Sequence, residues 1–172
     1  PYDCVFCNQK KISGQLVPAD AGTVRTAIEE APENSDGYEL AFYGGSFTAI
    51  PIEKQTELLE AAAPYRKNGR INAVRLSTRP DCVSENELEF LLKYGVETIE
   101  LGVQSLDSEV LMLSGRGHTV KDCIEAAKRV KNYGFKLVLQ MMTGLPGDTN
   151  ERSIKTAKAI AELHPDGVRV YP

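Results

Sequence analysis

Short β-rich runs alternate with helical runs along this chain, and that alternation limits its fold more than any other feature. The β-rich runs are residues 39–43, 71–77, 98–103, 136–142 and 168–171. The stretches between them carry helix punctuation. Pro51 precedes a helix through Leu58, Leu59 and Ala62. Ser84 and Glu87 have capping-box spacing, Val83 and Leu88 occupy staple positions, and Gly95 is the stop. Thr119 opens the next helix, with Ile124, Ala127 and Val130 on one face and Gly134 after it. Asp148 with Glu151 opens the last, with Ile154, Ala157 and Ile160 inside and Pro165 beyond. Such a chain builds a parallel sheet through right-handed crossovers.

The strand faces separate an open doubly wound sheet from a barrel. Ile99, Leu101 and Val103 alternate with Thr98, Glu100 and Gln104. Val74 and Leu76 oppose Arg75 and Ser77, Val168 and Val170 oppose Arg169 and Tyr171, and Gln140 interrupts an apolar run. A parallel strand covered by helices on both faces reads as almost wholly apolar. One apolar and one polar face suit helices outside and a polar lumen inside. The expectation is an α/β fold with Arg75, Glu100, Gln140 and Arg169 on the concave side. Glu100 is expected to pair with Arg75 or Arg169, since buried charges need partners. Polar residues scattered near strand ends would give a similar text.

The length, 172 residues, suits one globular domain. A net charge of -4 argues against a large nucleic-acid footprint on this segment. No apolar run reaches the roughly 20 residues of a membrane span, and no signal peptide is visible. The four cysteines do not make a disulfide framework. Cys4 and Cys7 are spaced C-x-x-C, which favours metal or redox chemistry in a cytoplasmic protein. That motif alone fits half a zinc site or a redox pair equally well.

In parallel β/α folds, chemistry gathers at the C-terminal strand ends. The irregular residues of this chain do the same. Gly44-Gly45-Ser46-Phe47-Thr48 follows the first run, and Thr78-Arg79-Pro80-Asp81 the second. Gln104-Ser105 ends the third, with Gly115-Arg116-Gly117-His118 beyond a short helix. Thr143-Gly144-Leu145-Pro146-Gly147-Asp148 follows the fourth, and Tyr171-Pro172 the last. Any one of these fits an ordinary turn. Residues 8–22 lack periodicity and are expected to form a loop.

Pro1-Tyr2-Asp3-Cys4-Val5-Phe6-Cys7-Asn8 resembles the tail of the C-x-x-x-C-x-x-C signature of the radical S-adenosylmethionine (SAM) superfamily. The resemblance implies that Cys4 and Cys7 ligate a 4Fe–4S cluster, whose soft irons take thiolates. Gly44-Gly45-Ser46 resembles the family's Gly-Gly motif, which implies backbone contact with the amino group of SAM. Leu101-Gly102-Val103-Gln104-Ser105 resembles a strand end whose Gln lies close to SAM, and Arg116 resembles an arginine that meets the SAM carboxylate. Gly144 in Met142-Thr143-Gly144-Leu145-Pro146-Gly147, Tyr171 in Val170-Tyr171-Pro172, and Phe6 resemble residues placed near the adenine. The matches run in order over nearly the whole chain. The wording Gly-Gly-Ser-Phe-Thr, Thr-Arg-Pro-Asp and Gly-Val-Gln-Ser is most similar to bacterial proteins resembling the Elongator catalytic subunit. Oxygen-independent coproporphyrinogen dehydrogenases are the other relatives.

The fold implied is a partial (β/α)6 TIM-like barrel, here lacking its first strand, as one core domain over residues 1–172 cut at both ends. The implied partners are SAM and an electron donor such as flavodoxin or ferredoxin. The substrate is unassigned, with tRNA or a tetrapyrrole-like molecule as the family's examples. The signature's first cysteine would fall one position before Pro1, so these 172 residues alone are expected to lack a stable cluster. The competing reading is a non-catalytic barrel fragment whose C-x-x-C binds zinc or no metal. A sugar-phosphate barrel enzyme would leave the cysteine loop without a purpose. Cys82 and Cys123 read as packing residues, with Cys123 one position from its helix's apolar stripe, and His164 reads as a helix end. His118 suits either a substrate contact or a helix entry.

Overall fold

The computed structural model describes residues 4–5, 18–33 and 36–172. Five strands, β1 (Tyr38–Phe42), β2 (Ile71–Thr78), β3 (Thr98–Gln104), β4 (Lys136–Met142) and β5 (Gly167–Tyr171), form one sheet in the order β1-β2-β3-β4-β5. Every neighbouring pair is parallel. The crossovers carry α1 (Ala21–Glu29) ahead of β1, then α2 (Ile52–Lys67), α3 (Glu85–Lys93), α4 (Ser108–Leu113), α5 (Val120–Asn132) and α6 (Asn150–Glu162). Short 3-10 turns at Phe47–Ala49 and Pro80–Cys82 follow β1 and β2.

The sheet is curled. A flat five-stranded sheet would hold its edge strands about 19 Å apart. Here Tyr43, one residue beyond β1, accepts a hydrogen bond from Arg169 of β5 at 3.1 Å. The result is a half barrel, the partial TIM-like fold expected.

The convex side is the core. Val74 and Leu76 of β2, Ile99, Leu101 and Val103 of β3, and Leu137, Leu139 and Met141 of β4 pack with Leu58, Leu59, Leu88, Leu91, Ala127 and Val130 of the helices. Val168 and Val170 continue this face on β5 but remain exposed.

The helix ends differ from expectation in instructive ways. Ser84 caps α3 by accepting from the Glu87 amide, yet Glu87 does not complete a capping box. Its carboxylate lies instead beside Gln55 of α2. Thr119 and Asp122 form a full box on α5. The buried stripe of α5 is Cys123, Ala126, Ala127 and Val130, so Cys123 lies inside the stripe and Ile124 at its edge. Thr149, not Asp148, caps α6. Thr156 and Ile160 face inward there, whereas Ile154 and Ala157 are exposed. The later helix start shifts the phase, and Thr156 is drawn inside because its hydroxyl accepts from the Leu106 amide at 3.2 Å. The expected loop over residues 8–22 also needs correction, since α1 begins at Ala21 behind an Asp20–Thr23 capping box. Residues 8–17 lie outside the described residues. Among the described residues no helix is long and apolar enough to cross a membrane.

Candidate active site at the C-terminal rim

Alternation places Thr98, Glu100, Gly102 and Gln104 of β3 on the concave face, opposite the core side chains. Glu100 is completely buried there. One carboxylate oxygen accepts from Tyr43 Oη at 2.6 Å and Arg75 Nη1 at 2.8 Å. The other accepts from Gln140 Nε2 at 2.8 Å and Arg169 Nη1 at 3.1 Å. The expected polar lumen therefore exists, and its four named residues meet at one carboxylate. Glu100 pairs with both arginines rather than one. Burial alone would raise its carboxyl, but the bonds from Tyr43, Gln140, Arg75 and Arg169 outweigh burial and hold it below the ordinary range. Tyr43 shifts the other way, because burial and the Glu100 carboxylate both resist loss of its proton.

Above this layer the backbone becomes irregular. The β3–β4 register slips between Gly102 and Gln104. Gln104 has φ 67, and the Ser105 amide donates to the Val103 carbonyl across it at 2.9 Å. That is a γ-turn of the strained hand, rare for a residue with a side chain. Bulges beside active sites re-aim a side chain, and here Gln104 is turned over Gly102. A Cβ on Gly102 would lie 3.1 Å from Gln104 Nε2 and 3.5 Å from Arg116 Nη2, so glycine admits both side chains. The Oε1 of Gln104 is buried and finds no hydrogen-bond partner among the described residues.

Arg116 joins this strand end to the cysteine segment. Its Nη2 donates to the Gly102 carbonyl at 2.5 Å and its Nη1 to Cys4 Sγ at 3.5 Å. The Val5 amide donates to the Ser114 carbonyl at 3.2 Å, fixing the same segment a second time. Cys4, Gln104 and Arg116, 112 residues apart at the extreme, thus share one corner of the rim.

The other expected residues stand around the same rim. Gly44 and Gly45 adopt φ 100 and 92 directly after Tyr43, and the space a Cβ would occupy on Gly45 is open. Ser46 is buried at the start of the following 3-10 turn. The Thr48 and Thr78 hydroxyls touch, fastening this loop to the end of β2. Gly144 has φ 71, faces open space, and donates its amide to Asp148 at 3.0 Å. The Thr143 amide donates to the Tyr171 carbonyl at 2.9 Å, so the ends of β4 and β5 are tied together. Phe6 and Cys7 lie outside the described residues.

The tempting residues resolve into packing. His118 is buried, with Nε2 3.4 Å from the Val103 carbonyl. Burial, helped by the nearby Arg116 charge, pushes its pKa down to about 4, which keeps the imidazole neutral near pH 7. Burial pushes the Cys123 thiol up to about 12, and Cys82 also upward. The residues missed were Tyr43 and Asp148. Tyr43 was findable, because it continues the concave phase of Glu39 and Ala41 immediately before Gly44-Gly45.

A curled parallel sheet with five irregular strand ends and a cysteine at its rim defines a class. The model of the radical SAM superfamily matches residues 1–160. The chain belongs to that superfamily, and proteins of this class are enzymes. It is 34% identical over 165 residues to a tRNA uridine(34) acetyltransferase of Methanocaldococcus infernus, covering 84% of this chain and 31% of the relative. A solved structure of the Elp3 of that archaeon, with an N-terminal deletion, superposes with TM-score 0.75 at 33% identity, covering 88% of this chain and 41% of that one. The radical SAM coproporphyrinogen III oxidase HemN of Escherichia coli shares the fold, with TM-score 0.72 at 23% identity over 98% of this chain and 40% of that one. This chain thus spans about a third of the length of the M. infernus relative.

Proposed function

We propose that this chain is the catalytic core of a radical SAM enzyme acting on a uridine of tRNA. In this reading Cys4 and Cys7 hold a 4Fe–4S cluster. Gly44, Gly45, Ser46, Gln104, Arg116, Gly144 and Tyr171, with Phe6, hold SAM. Bound there, the cluster and SAM would supply the radical chemistry for hydrogen abstraction from the substrate. The observation that carries the reading is the Cys4–Arg116–Gly102 junction beside Gln104, whose buried Oε1 awaits a donor. Arg116 offers a fixed cation to a carboxylate. The glycines leave their backbone groups approachable where any side chain would stand in the way.

Uridine in tRNA is proposed because the M. infernus relative is named a tRNA uridine(34) acetyltransferase. The net charge of -4 supports at most a small tRNA footprint on this segment. The reductant is a flavodoxin or ferredoxin, and the compartment is the cytoplasm. The test is anaerobic reconstitution of the full-length protein with iron and sulfide, then assay of 5′-deoxyadenosine after reduction. A brown protein that releases 5′-deoxyadenosine, faster with tRNA, is expected. A colourless protein with stoichiometric zinc and no SAM cleavage overturns the reading.

A further inference from the structure

Arg169 stands apart from the other members of the concave cluster. Arg75 is gripped from two sides, by Glu39 at 2.9 Å and Glu100 at 2.8 Å. Glu100 is saturated, each oxygen taking two donors. Arg169 makes both of its hydrogen bonds through Nη1 alone, to Tyr43 Oη and Glu100 Oε2, each at 3.1 Å. Its Nε and Nη2 have no hydrogen-bonding partner among the described residues, and its side chain is 43% exposed. The guanidinium is nevertheless fixed in place. It lies 5.3 Å from the ring centroid of Tyr43 and 5.4 Å from that of Tyr171. Two aromatic contacts and two bonds at one nitrogen locate the group and leave its Nε–Nη2 edge unbonded among the described residues.

Such an edge presents two parallel N–H donors, the geometry that fits two oxygens of one anion. Charge sets which anion. Arg75 and Arg169 are balanced by Glu39 and Glu100, so the cluster has no excess positive charge. A dianion would meet Glu100 directly behind the guanidinium, whereas a monoanion keeps the arginine's attraction at lower cost.

We propose that the Nε–Nη2 edge of Arg169 is a substrate subsite for a singly charged oxyanion, a phosphodiester or a carboxylate. Tyr43 and Tyr171 hold the fork, and Glu100 is a positioning residue that ties it to the floor of the lumen. The proposal rests on the reading of the concave face as the substrate side. A nucleic-acid backbone and a small carboxylate share the required chemistry.

The test is residue-resolved labelling of the full-length protein with phenylglyoxal, an arginine reagent, followed by peptide mass spectrometry. Dimethyl phosphate, acetate and inorganic phosphate are added separately, with sodium chloride at matched ionic strength as reference. Arg75, tied between two carboxylates, is the internal control. Labelling of Arg169 is expected to slow about threefold once a monoanion reaches about twice its dissociation constant, with Arg75 unchanged. Stronger protection by dimethyl phosphate assigns the subsite to a phosphodiester, and stronger protection by acetate to a carboxylate. Either upholds the subsite. No protection, equal slowing at both arginines, or strongest protection by inorganic phosphate overturns it. Protection does not depend on the cluster, so the two readings fail separately. A protein that cleaves SAM without protection loses the subsite alone. A protected protein that never cleaves SAM loses the enzyme reading alone.

Discussion

Ile99, Leu101 and Val103 turn to the convex side of β3, while Thr98, Glu100, Gly102 and Gln104 turn to the concave side, and all seven are buried. The convex three lie in a continuous apolar core. Their burial is favourable in itself and tolerates changes that conserve volume. Polar side chains on the concave face are buried at a cost that specific partners must offset. Glu100 shows this most clearly, because removing it takes a carboxylate from two arginines at once and leaves Arg75 with Glu39 alone. Equal burial therefore conceals unequal tolerance, and the less tolerant face is the one beside the proposed chemistry.

Replacing Glu100 is the hardest test of that contrast. Glu100→Ala should lower stability by about 3–5 kcal/mol, the usual loss when one partner of a buried ion pair is removed. Leu101→Ala, one residue away on the other face, should cost about 3 kcal/mol through lost burial and a cavity. Urea unfolding of both variants measures the difference. The comparison breaks if Leu101→Ala proves the more damaging. It sharpens if Glu100→Gln, which keeps the shape but only part of the bonding, falls between Glu100→Ala and the wild type.

The convex face was readable from the sequence because alternation reports burial directly. No strand bound differs from expectation by more than a single residue, and the apolar phases of β2, β3 and β4 stand as expected. The concave face was readable in outline, since Arg75, Glu100, Gln140 and Arg169 are polar in strand context. Their common meeting point was not, because it depends on curl that brings Tyr43 and Arg169 together from opposite edges. The phase of α6 was misjudged for a related reason. A periodic pattern shows that a helix has an apolar side, but Thr156 is buried through a hydroxyl contact with the α4 approach, and periodicity carries no such information. The strained Gln104 turn was invisible too, since nothing in Val-Gln-Ser announces a positive φ.

A smaller effect is expected at the rim, where the concave face meets the proposed SAM site. Arg116→Ala should weaken SAM binding to the reconstituted full-length protein by about 1.5–3 kcal/mol, the range for a hydrogen bond to a charged group. Equilibrium dialysis with labelled SAM checks this. Unchanged affinity removes Arg116 from the proposed SAM site and leaves it as a tie between Gly102 and Cys4.

The smallest effect is expected where a polar group has strayed onto the convex side. Glu87 of α3 lies beside Gln55 of α2, and one oxygen of each is buried without a hydrogen-bond donor among the described residues. Burial accordingly raises the Glu87 carboxyl above its ordinary value of 4.5, against a smaller opposing effect of the Gln55 hydrogen bond. The sign follows from linkage: a folded pKa above the unfolded one favours the folded state while the group is protonated. That contribution is complete below the ordinary value and is lost as pH rises through the raised one. Glu87→Gln keeps the size, stays neutral at every pH and carries the missing donor. It should flatten the fall in stability as pH climbs from about 4.5 to 7, and should gain under about 1 kcal/mol at pH 7. Urea midpoints across that range, for variant and wild type, decide the matter. Parallel pH profiles would show that Glu87 reaches water, and that the convex face tolerates a charge as readily as the concave one.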